Sequence, residues 1–199
     1  MSQPDLILAS ASPRRRALLE QLGVRFSVLE QDIDESRRVG ESPANYVQRM
    51  AQEKAGSALD SLSSRNGIII GADTSVVLDD LVLGKPRDEY HGRQMLMQLS
   101  GREHQVLSAV TVCSPDALET AVSVSKVSFR VISPLEASSY WATGEPIGKA
   151  GGYAIQGLAA VFVKHLAGSY SGVMGLPLFE TAQLLKLFGI DSLPLQAEQ

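Results

Sequence analysis

The chain has 199 residues, of which 44% are hydrophobic and 20% charged, a composition typical of a globular protein with a sizeable core. That length fits one α/β domain or two small lobes. The net charge of −4 gives no general attraction to nucleic acid or to an anionic membrane, and a single cysteine excludes an internal disulfide and any cysteine-rich metal cluster.

The first predicted unit is a buried strand, residues 6–9, that turns directly into a helix with Ser12 as N-cap and Pro13 as first residue. Free N–H groups at such a helix start bind anions, and Ser10 and the three arginines at 14–16 lie beside them, which suits a triphosphate. The arginines could instead form a solvated helix face; successive helical positions point in different directions, so at most two can enter one site. Because no apolar segment approaches the roughly 20 residues of a membrane span, and because the first apolar run lacks the basic region of a secretion signal, we expect a cytoplasmic protein.

A short strand at residues 26–29 leads into an acidic loop, residues 32–35, with three carboxylates in four positions. These carboxylates could ligate a hard cation or simply face solvent. A long helix should follow, capped by Ser42 and Pro43, with an apolar face of helical spacing in which Lys54 takes part through its aliphatic stem. Most charged groups on such a helix are expected to face solvent.

The central segment, residues 68–78, is a run of β-branched residues that predicts a buried strand with Asp73 inside it. A buried carboxylate is costly unless something pairs with it. An Asp-Asp dipeptide allows a tight hairpin to a return strand at residues 81–83, which brings Lys85 towards Asp73. An acid and a lysine at such a bend suit a metal-bound phosphate; the alternative is a structural ion pair at a strand end.

The second half of the chain is predicted to hold further helices and strands around a glycine-rich loop. Residues 148–157 contain four glycines, which let the backbone approach a ligand, although a flexible connector would look similar. Cys113 lies in an apolar run where a buried structural role is expected, and the three histidines are too scattered for a triad or a zinc site. The remaining expectations are a helix over 88–99, strands at 106–112 and 122–131, a helix over 133–143 opened by a capping box, a strand at 159–163, a turn at 168–172, a helix at 177–188 and a frayed tail after Pro194.

Six short blocks follow one another across nearly the whole chain: residues 8–15 (LASASPRR), 52–55 (QEKA), 71–74 (GADT), 84–86 (GKP), 149–157 (KAGGYAIQG) and 173–177 (VMGLP). Taken together and in this order, they resemble the Maf family. Each block alone is weak evidence, but six in register are specific.

The resemblance implies a cytoplasmic nucleoside triphosphate pyrophosphatase that takes part in house-cleaning of nucleotide pools. Such an enzyme releases pyrophosphate and a nucleoside monophosphate, using a divalent cation, Mg²⁺ or Mn²⁺. The resemblance is to the subfamily that acts on dTTP and UTP, with CTP and modified pyrimidine nucleotides as further candidate substrates. It also implies an α/β fold with a mixed elongated β-sheet flanked by helices, two lobes with a cleft as in the ITPase-like fold, a single domain over residues 1–199, and often a homodimer.

The resemblance further assigns roles to particular residues. Asp73 would be the general base and, with Glu35, would hold the metal. Base selectivity would come from Arg14, Thr74 and Gln156. Ser75 departs from the apolar residue that relatives usually carry; facing the cleft it would alter water placement, and facing away it would be neutral. The catalytic groups would be Asp73, Glu35, Lys54 and Lys85, with Ser10 and Arg14 binding the phosphates.

Two other functions compete with the enzyme. A nucleotide-sensing regulator of cell division would use the same site without significant catalysis, since the Maf name is linked with inhibition of septum formation. The set of acids and lysines argues against it, because binding alone needs no water-activating carboxylate. Nucleic-acid binding by the arginines at 14–16 is disfavoured by the acidic chain and by the absence of an aromatic stacking platform beside them in the sequence.

Overall fold

Strand β3 (Gly67–Leu78) is the element on which the rest of the sheet is assembled. In the computed structural model, which describes residues 5–62 and 67–192, all of this strand's residues are buried except the partly exposed Thr74. The strand is covered on both faces, and this explains why its apolar residues run continuously and do not alternate with polar ones. The predicted central strand is therefore confirmed.

Six further strands complete a mixed sheet: β1 (Asp5–Ala9), β2 (Ser27–Val28), β4 (Leu81–Leu83), β5 (Glu103–Cys113), β6 (Leu118–Phe129) and β7 (Val163–Ala167). The spatial order is β2-β1-β3-β5-β6-β7, with β4 paired to β3. Strand β1 runs parallel to β2 and β3, and the other pairings are antiparallel. The expected mixed sheet is confirmed.

Helices cover both faces of this sheet: α1 (Pro13–Glu20), α2 (Pro43–Ser61), α3 (Glu89–Leu99), α4 (Pro134–Ala142), α5 (Tyr170–Met174) and α6 (Leu178–Leu187). The side chains of Ser12, Ser42 and Ser133 each accept a hydrogen bond from a backbone N–H in the first turn of α1, α2 and α4, as predicted. No helix in the described part of the chain combines the length and the apolar character needed to cross a membrane.

Helix α2 packs closely on one face of the sheet because β3 carries a glycine there. A Cβ placed on Gly71 would lie 2.2 Å from the carbonyl oxygen of Ala51, so only glycine admits the helix at this separation. Cys113 is buried in the same layer, against Ala55 and Ala58, which confirms its predicted structural position. The close approach also sets the depth at which other α2 side chains meet β3.

The opposite face of the sheet carries two separate apolar clusters. One is built around α1 and α6, with Leu18, Leu19 and Leu185 fully buried. The other is built around α3 and α4, with Leu96 and Tyr140 among its buried members. These two clusters are the cores of the two expected lobes.

Strand β3 has a gap in its pairing between the two lobes. Strand β1 pairs with it as far as Gly71, and β4 pairs with it from Val76 onwards. Residues 72–75 are therefore paired with β5 on one side, while the other side of this stretch opens into a cleft. Asp73 and Thr74 lie in this gap.

Two local predictions are wrong. The strand expected at 159–163 is a 3₁₀ helix (Leu158–Phe162), and the strand of this region, β7, comes after it. The turn expected at 168–172 is in part the short helix α5, which starts because the Ser169 side chain accepts a hydrogen bond from the N–H of Gly172. The expected frayed tail after Pro194 lies outside the described residues.

Candidate active site

The cleft beside residues 72–75 has a volume of about 730 Å³, which is in the range of small-molecule sites. A second groove of about 750 Å³ lies between α3 and α4, but the described residues that line it include no carboxylate. The concentration of ionisable groups marks the first cleft as the candidate active site. All the residues assigned from the sequence line it, namely Ser10, Arg14, Glu35, Lys54, Asp73, Thr74, Ser75, Lys85 and Gln156.

Asp73 heads a line of alternating charges along one wall of the cleft. The Nζ atom of Lys54 lies 2.8 Å from Asp73 Oδ1 and 2.6 Å from Glu35 Oε1. On the other side of Glu35, the Nζ atom of Lys85 lies 3.7 Å from Oε2. The sequence therefore placed Lys85 correctly beside the site, but the direct partner of Asp73 is Lys54.

Lys54 does not face solvent as most charged groups on α2 were expected to do. Its side chain is 10% exposed, because the glycine at position 71 admits α2 close to β3 and the next inward residue on that strand face is Asp73. Burial of this ammonium is compensated by two carboxylates. Lys54 is thus held in place by charge and by packing together.

Glu35 comes from the acidic loop, and of the three carboxylates considered there it is the one that meets Lys54. The hydroxyl of Tyr46 donates to the main-chain oxygen of Glu35 at 2.9 Å and fixes the loop against α2. Burial alone would raise the pKa of Glu35, but the hydrogen bond from Lys54 and the charges of Lys54 and Lys85 lower it overall. Burial, followed by the charges of Asp73 and Glu35, raises the pKa of Tyr46 to about 12.

The carboxylates on this wall of the cleft fit a magnesium-like cation. Within residues 5–62 and 67–192 no three His, Cys, Asp or Glu side chains come together as a complete metal site. Mg²⁺ is commonly bound by one or two carboxylates together with substrate phosphates, and Asp73 and Glu35 supply two carboxylates next to the same lysine. In the described part of the chain Asp73 Oδ2 receives no hydrogen bond, so this oxygen is available to a cation or a water molecule.

The opposite wall of the cleft is the turn between β1 and α1. Arg15 donates from Nε to the carbonyl oxygen of Gly175 at 2.9 Å and from Nη1 to Ser10 Oγ at 3.4 Å. Arg14 donates from Nε to the carbonyl oxygen of Met174 at 3.4 Å. Burial lowers the pKa of both arginines, which stay cationic at neutral pH.

The third arginine of this turn points away from the cleft. Arg16 pairs with Glu20 at 3.1 Å on the exposed side of α1. Two of the three arginines therefore line the site and one is a solvated helix residue, so each of the two interpretations of this group is correct for part of it.

Thr74 links the gap in β3 to the 173–177 block. Its hydroxyl donates to the carbonyl oxygen of Gly175 at 3.3 Å and accepts from Ser108 Oγ at 3.1 Å. Ser75, on the following position, is 3% exposed and lines the cleft, which is the inward orientation considered from the sequence.

The glycine-rich loop forms the roof of the cleft. Gly151 has φ 67°, and a Cβ placed there would lie 2.9 Å from a methyl group of Val76, so the loop needs glycine to pack on β3. Gln156 is exposed at the rim, in a turn closed by a 3.0 Å hydrogen bond from the N–H of Gly157 to the oxygen of Ala154.

The further residues that line the cleft include Arg15, which the sequence considered only within the arginine group at 14–16, and Tyr46 and Lys149, to which it assigned no role. Lys149 adds a basic side chain to the cleft. Burial, followed by the charge of Arg14, lowers the pKa of this lysine. Two of the three lie inside the blocks 8–15 and 149–157, so those blocks held the signal for them. Tyr46 had no such signal, because its contact with Glu35 depends on the packing of a loop.

Comparison with known proteins finds relatives over nearly the whole chain. The family model described as Maf-like protein matches residues 5–188. A protein of Saccharophagus degradans named dTTP/UTP pyrophosphatase is 55% identical over 188 residues, covering 94% of this chain and 90% of that protein. Proteins of the same name are 53% identical in Alkalilimnicola ehrlichii, covering 95% of both chains, and 49% identical in Methylococcus capsulatus, covering 96% and 95%. Among solved structures, the Staphylococcus aureus Ham1 protein is 17% identical with a TM-score of 0.44, over 63% of this chain and 70% of that one.

Proposed function

The chain belongs to the Maf family, and from this membership we propose that it is a nucleoside triphosphate pyrophosphatase that hydrolyses dTTP and UTP. The relatives named for this activity align over nearly their whole length. Their names favour an enzyme over a nucleotide-sensing regulator. The proposal includes CTP and modified pyrimidine nucleotides as secondary substrates, a house-cleaning role in the cytoplasm, one Maf-like domain over residues 1–199, and a homodimer.

The observation that carries the proposal is the line of alternating charges from Asp73 to Lys85 on one wall of a cleft whose other wall holds Arg14 and Arg15. A structural ion pair at a strand end needs neither a cleft of about 730 Å³ nor a second group of cations. A nucleoside triphosphate does need both, because its charge must be neutralised while water reaches one phosphorus atom.

In the proposed reaction Asp73 orients a water molecule through Oδ2 and takes its proton. The water oxygen forms a bond to the α-phosphorus, and the bond from that phosphorus to the oxygen bridging to the β-phosphate breaks. Pyrophosphate leaves with the bonding electron pair, and the nucleoside monophosphate stays behind. Lys54 keeps Asp73 in position by its 2.8 Å contact with the other carboxylate oxygen.

The remaining cleft residues neutralise charge on the triphosphate. Lys85 is 66% exposed at the rim and reaches phosphate oxygens from one side, while Arg14 and Ser10 reach them from the other. Asp73 and Glu35 would hold the divalent cation, Mg²⁺ or Mn²⁺, which supplies further charge neutralisation when bound. Ser75 is buried and lines the cleft, and its hydroxyl is proposed to influence where the attacking water is placed.

Base selectivity is proposed to come from Arg14, Thr74 and Gln156, which line the same cleft. The Gln156 amide offers a donor and an acceptor, which complement the acceptor, donor, acceptor edge shared by thymine and uracil. Unpaired polar groups would penalise the wrong base by about 1 to 3 kcal/mol each.

The test is a panel of nucleotides assayed for pyrophosphate release in the presence of Mg²⁺ or Mn²⁺. We expect kcat/KM to be highest for dTTP and UTP, lower for CTP, and lowest for GTP and 7-methyl-GTP. The Gln156→Ala variant should flatten this order without loss of fold, since the side chain is exposed. A purine as best substrate, or an unchanged order in the variant, would refute the selectivity proposal, and no release from any nucleotide would refute the enzyme.

A further inference from the structure

The turn that presents Gln156 is held at its start by a tyrosine from outside the cleft. Tyr140, on α4, is 4% exposed, and its hydroxyl accepts a hydrogen bond from the N–H of Ala154 at 3.2 Å. Ala154 is the first residue of the turn closed by the Gly157 N–H. The next residue, Ile155, is buried in the apolar core of the lobe, so Gln156 is the residue of this turn that is left facing outward.

The same turn is held at its end by a carboxylate. Glu145 accepts hydrogen bonds from the N–H groups of Leu158 at 2.9 Å and Ala159 at 3.2 Å. One of its oxygens also accepts from the hydroxyl of Tyr140 at 2.7 Å. Tyr140 and Glu145 are therefore one hydrogen-bonded pair that holds both ends of the turn.

The pair leaves little freedom to the backbone beside Gln156. A Cβ placed on Gly157 would lie 2.2 Å from Glu145 Oε2, so the carboxylate packs directly against this residue. Burial alone would raise the pKa of Glu145, but the hydrogen bonds from Leu158, Tyr140 and Ala159 lower it overall, so the carboxylate is ionised at neutral pH. Hydrogen bonds to an ionised acceptor are stronger than neutral ones.

We propose that Tyr140 and Glu145 are positioning residues for base selection, which hold Gln156 at the rim of the cleft by fixing the turn that carries it. The inference rests on the proposed function, because it assigns the turn to base recognition. Neither residue lines the cleft, and their side chains contact the turn through hydrogen bonds to the backbone of residues 154–159. Lys149, which does line the cleft, donates to the main-chain oxygen of Glu145, an atom that neither variant changes. A selectivity site on a loop needs such support, since small displacements remove hydrogen-bond discrimination.

The first test measures how firmly Tyr140 and Glu145 hold the turn, without reference to catalysis. Tyr140→Phe removes the hydroxyl and keeps the ring, which packs edge-on against Phe162 with 5.4 Å between the ring centroids. Glu145→Gln keeps the shape of the side chain and removes its charge. Amide hydrogen exchange at Ala154, Leu158 and Ala159 should accelerate about tenfold or more in each variant. Ser138→Ala is the matched control, because it also removes a hydroxyl from α4, one that donates to Pro134 and touches no part of the turn.

The second test separates positioning from general stability. In Tyr140→Phe the ratio of kcat/KM for dTTP over GTP should fall about tenfold, while kcat/KM for GTP changes little and the variant stays folded at the assay temperature. If Tyr140 acts through Gln156, the double variant Tyr140→Phe/Gln156→Ala should show the same ratio as Gln156→Ala alone. Glu145→Gln repeats the test in case Tyr140→Phe fails to fold.

The outcomes distinguish the two proposals. No pyrophosphate release from the unmodified protein refutes the proposed function. An active, dTTP-selective protein whose exchange or selectivity is unaltered in both variants refutes the positioning role alone. Additive losses in the double variant, or equal losses with dTTP and GTP, also refute it, since they mean that Tyr140 acts independently of Gln156 or on the fold as a whole.

Discussion

Replacing Lys54 by methionine should strongly destabilise the protein, because it leaves two carboxylates beside each other without their shared cation. The side chains of Lys54 and Asp73 are 10% and 12% exposed, and breaking such a buried pair by removing one partner costs about 3 to 5 kcal/mol. Glu35 is 45% exposed, so the loss of its contact adds less than about 1 kcal/mol. A loss of this size is a large part of the 5 to 15 kcal/mol, roughly, that stabilises a typical domain.

Urea unfolding, followed by the fluorescence of the single tryptophan, measures this loss. Trp141 lies on α4 against Gly92, on the face of the sheet opposite α2, so the substitution leaves the probe's surroundings unchanged. Lys85→Met is the matched control, because Lys85 also contacts Glu35 but is 66% exposed at 3.7 Å. We expect it to cost less than about 1 kcal/mol.

A second substitution tests whether the loss of stability comes from the broken ion pair between Lys54 and Asp73. In the Lys54→Met background, Asp73→Asn removes the unpaired buried charge and should restore part of the lost stability. If Lys54→Met is as mild as Lys85→Met, Lys54 is not a buried ion-pair partner. If the double variant is less stable than Lys54→Met alone, the loss comes from packing and not from charge.

Four further outcomes are expected. Asp73→Asn should keep the fold and lower kcat by about 10² or more in the pyrophosphate assay, and retention of a tenth of the rate would exclude Asp73 as the base. Lys85→Ala should lower kcat/KM by similar factors for all nucleotides, and a change confined to base preference would contradict phosphate binding. Arg14→Ala should lower kcat/KM for all nucleotides and also narrow the difference between dTTP and GTP, because Arg14 is assigned both to the phosphates and to the base; an unchanged kcat/KM would contradict both roles. Burial lowers the pKa of His104 from its ordinary value near 6.5 to about 4, so unfolding takes up a proton between these values. Melting temperatures should therefore fall as the pH is lowered from about 6.5 towards 4, and His104→Gln should reduce this dependence; an equal slope in the variant would count against it.

Features set by neighbouring residues could be predicted from the sequence. The caps at Ser12, Ser42 and Ser133 each bond to a backbone N–H three residues ahead, so the sequence alone determines them. The β3 hairpin was predictable for the same reason, since two aspartates, both with positive φ, close it.

Features set by packing across long sequence separations could not be predicted. Lys54 occupies a position in the apolar stripe of α2, but its partner Asp73 is known only once the helix is seated on the glycine of β3. The 3₁₀ helix at Leu158–Phe162 was predicted as a strand because its residues are apolar. In the folded chain Glu145 takes the first two N–H groups of this segment, which are then not available to a sheet.

The reactivity of the single cysteine can be used to follow unfolding of this protein. Cys113 is 2% exposed beneath α2, and burial raises the pKa of its thiol to about 11. Burial and the raised pKa both slow the reaction with a thiol reagent, because the thiolate is the reactive form, so the labelling rate measures how often the structure opens around Cys113. A cysteine introduced at the exposed position of Gln156 could thus carry a fluorophore while the native thiol stays unlabelled.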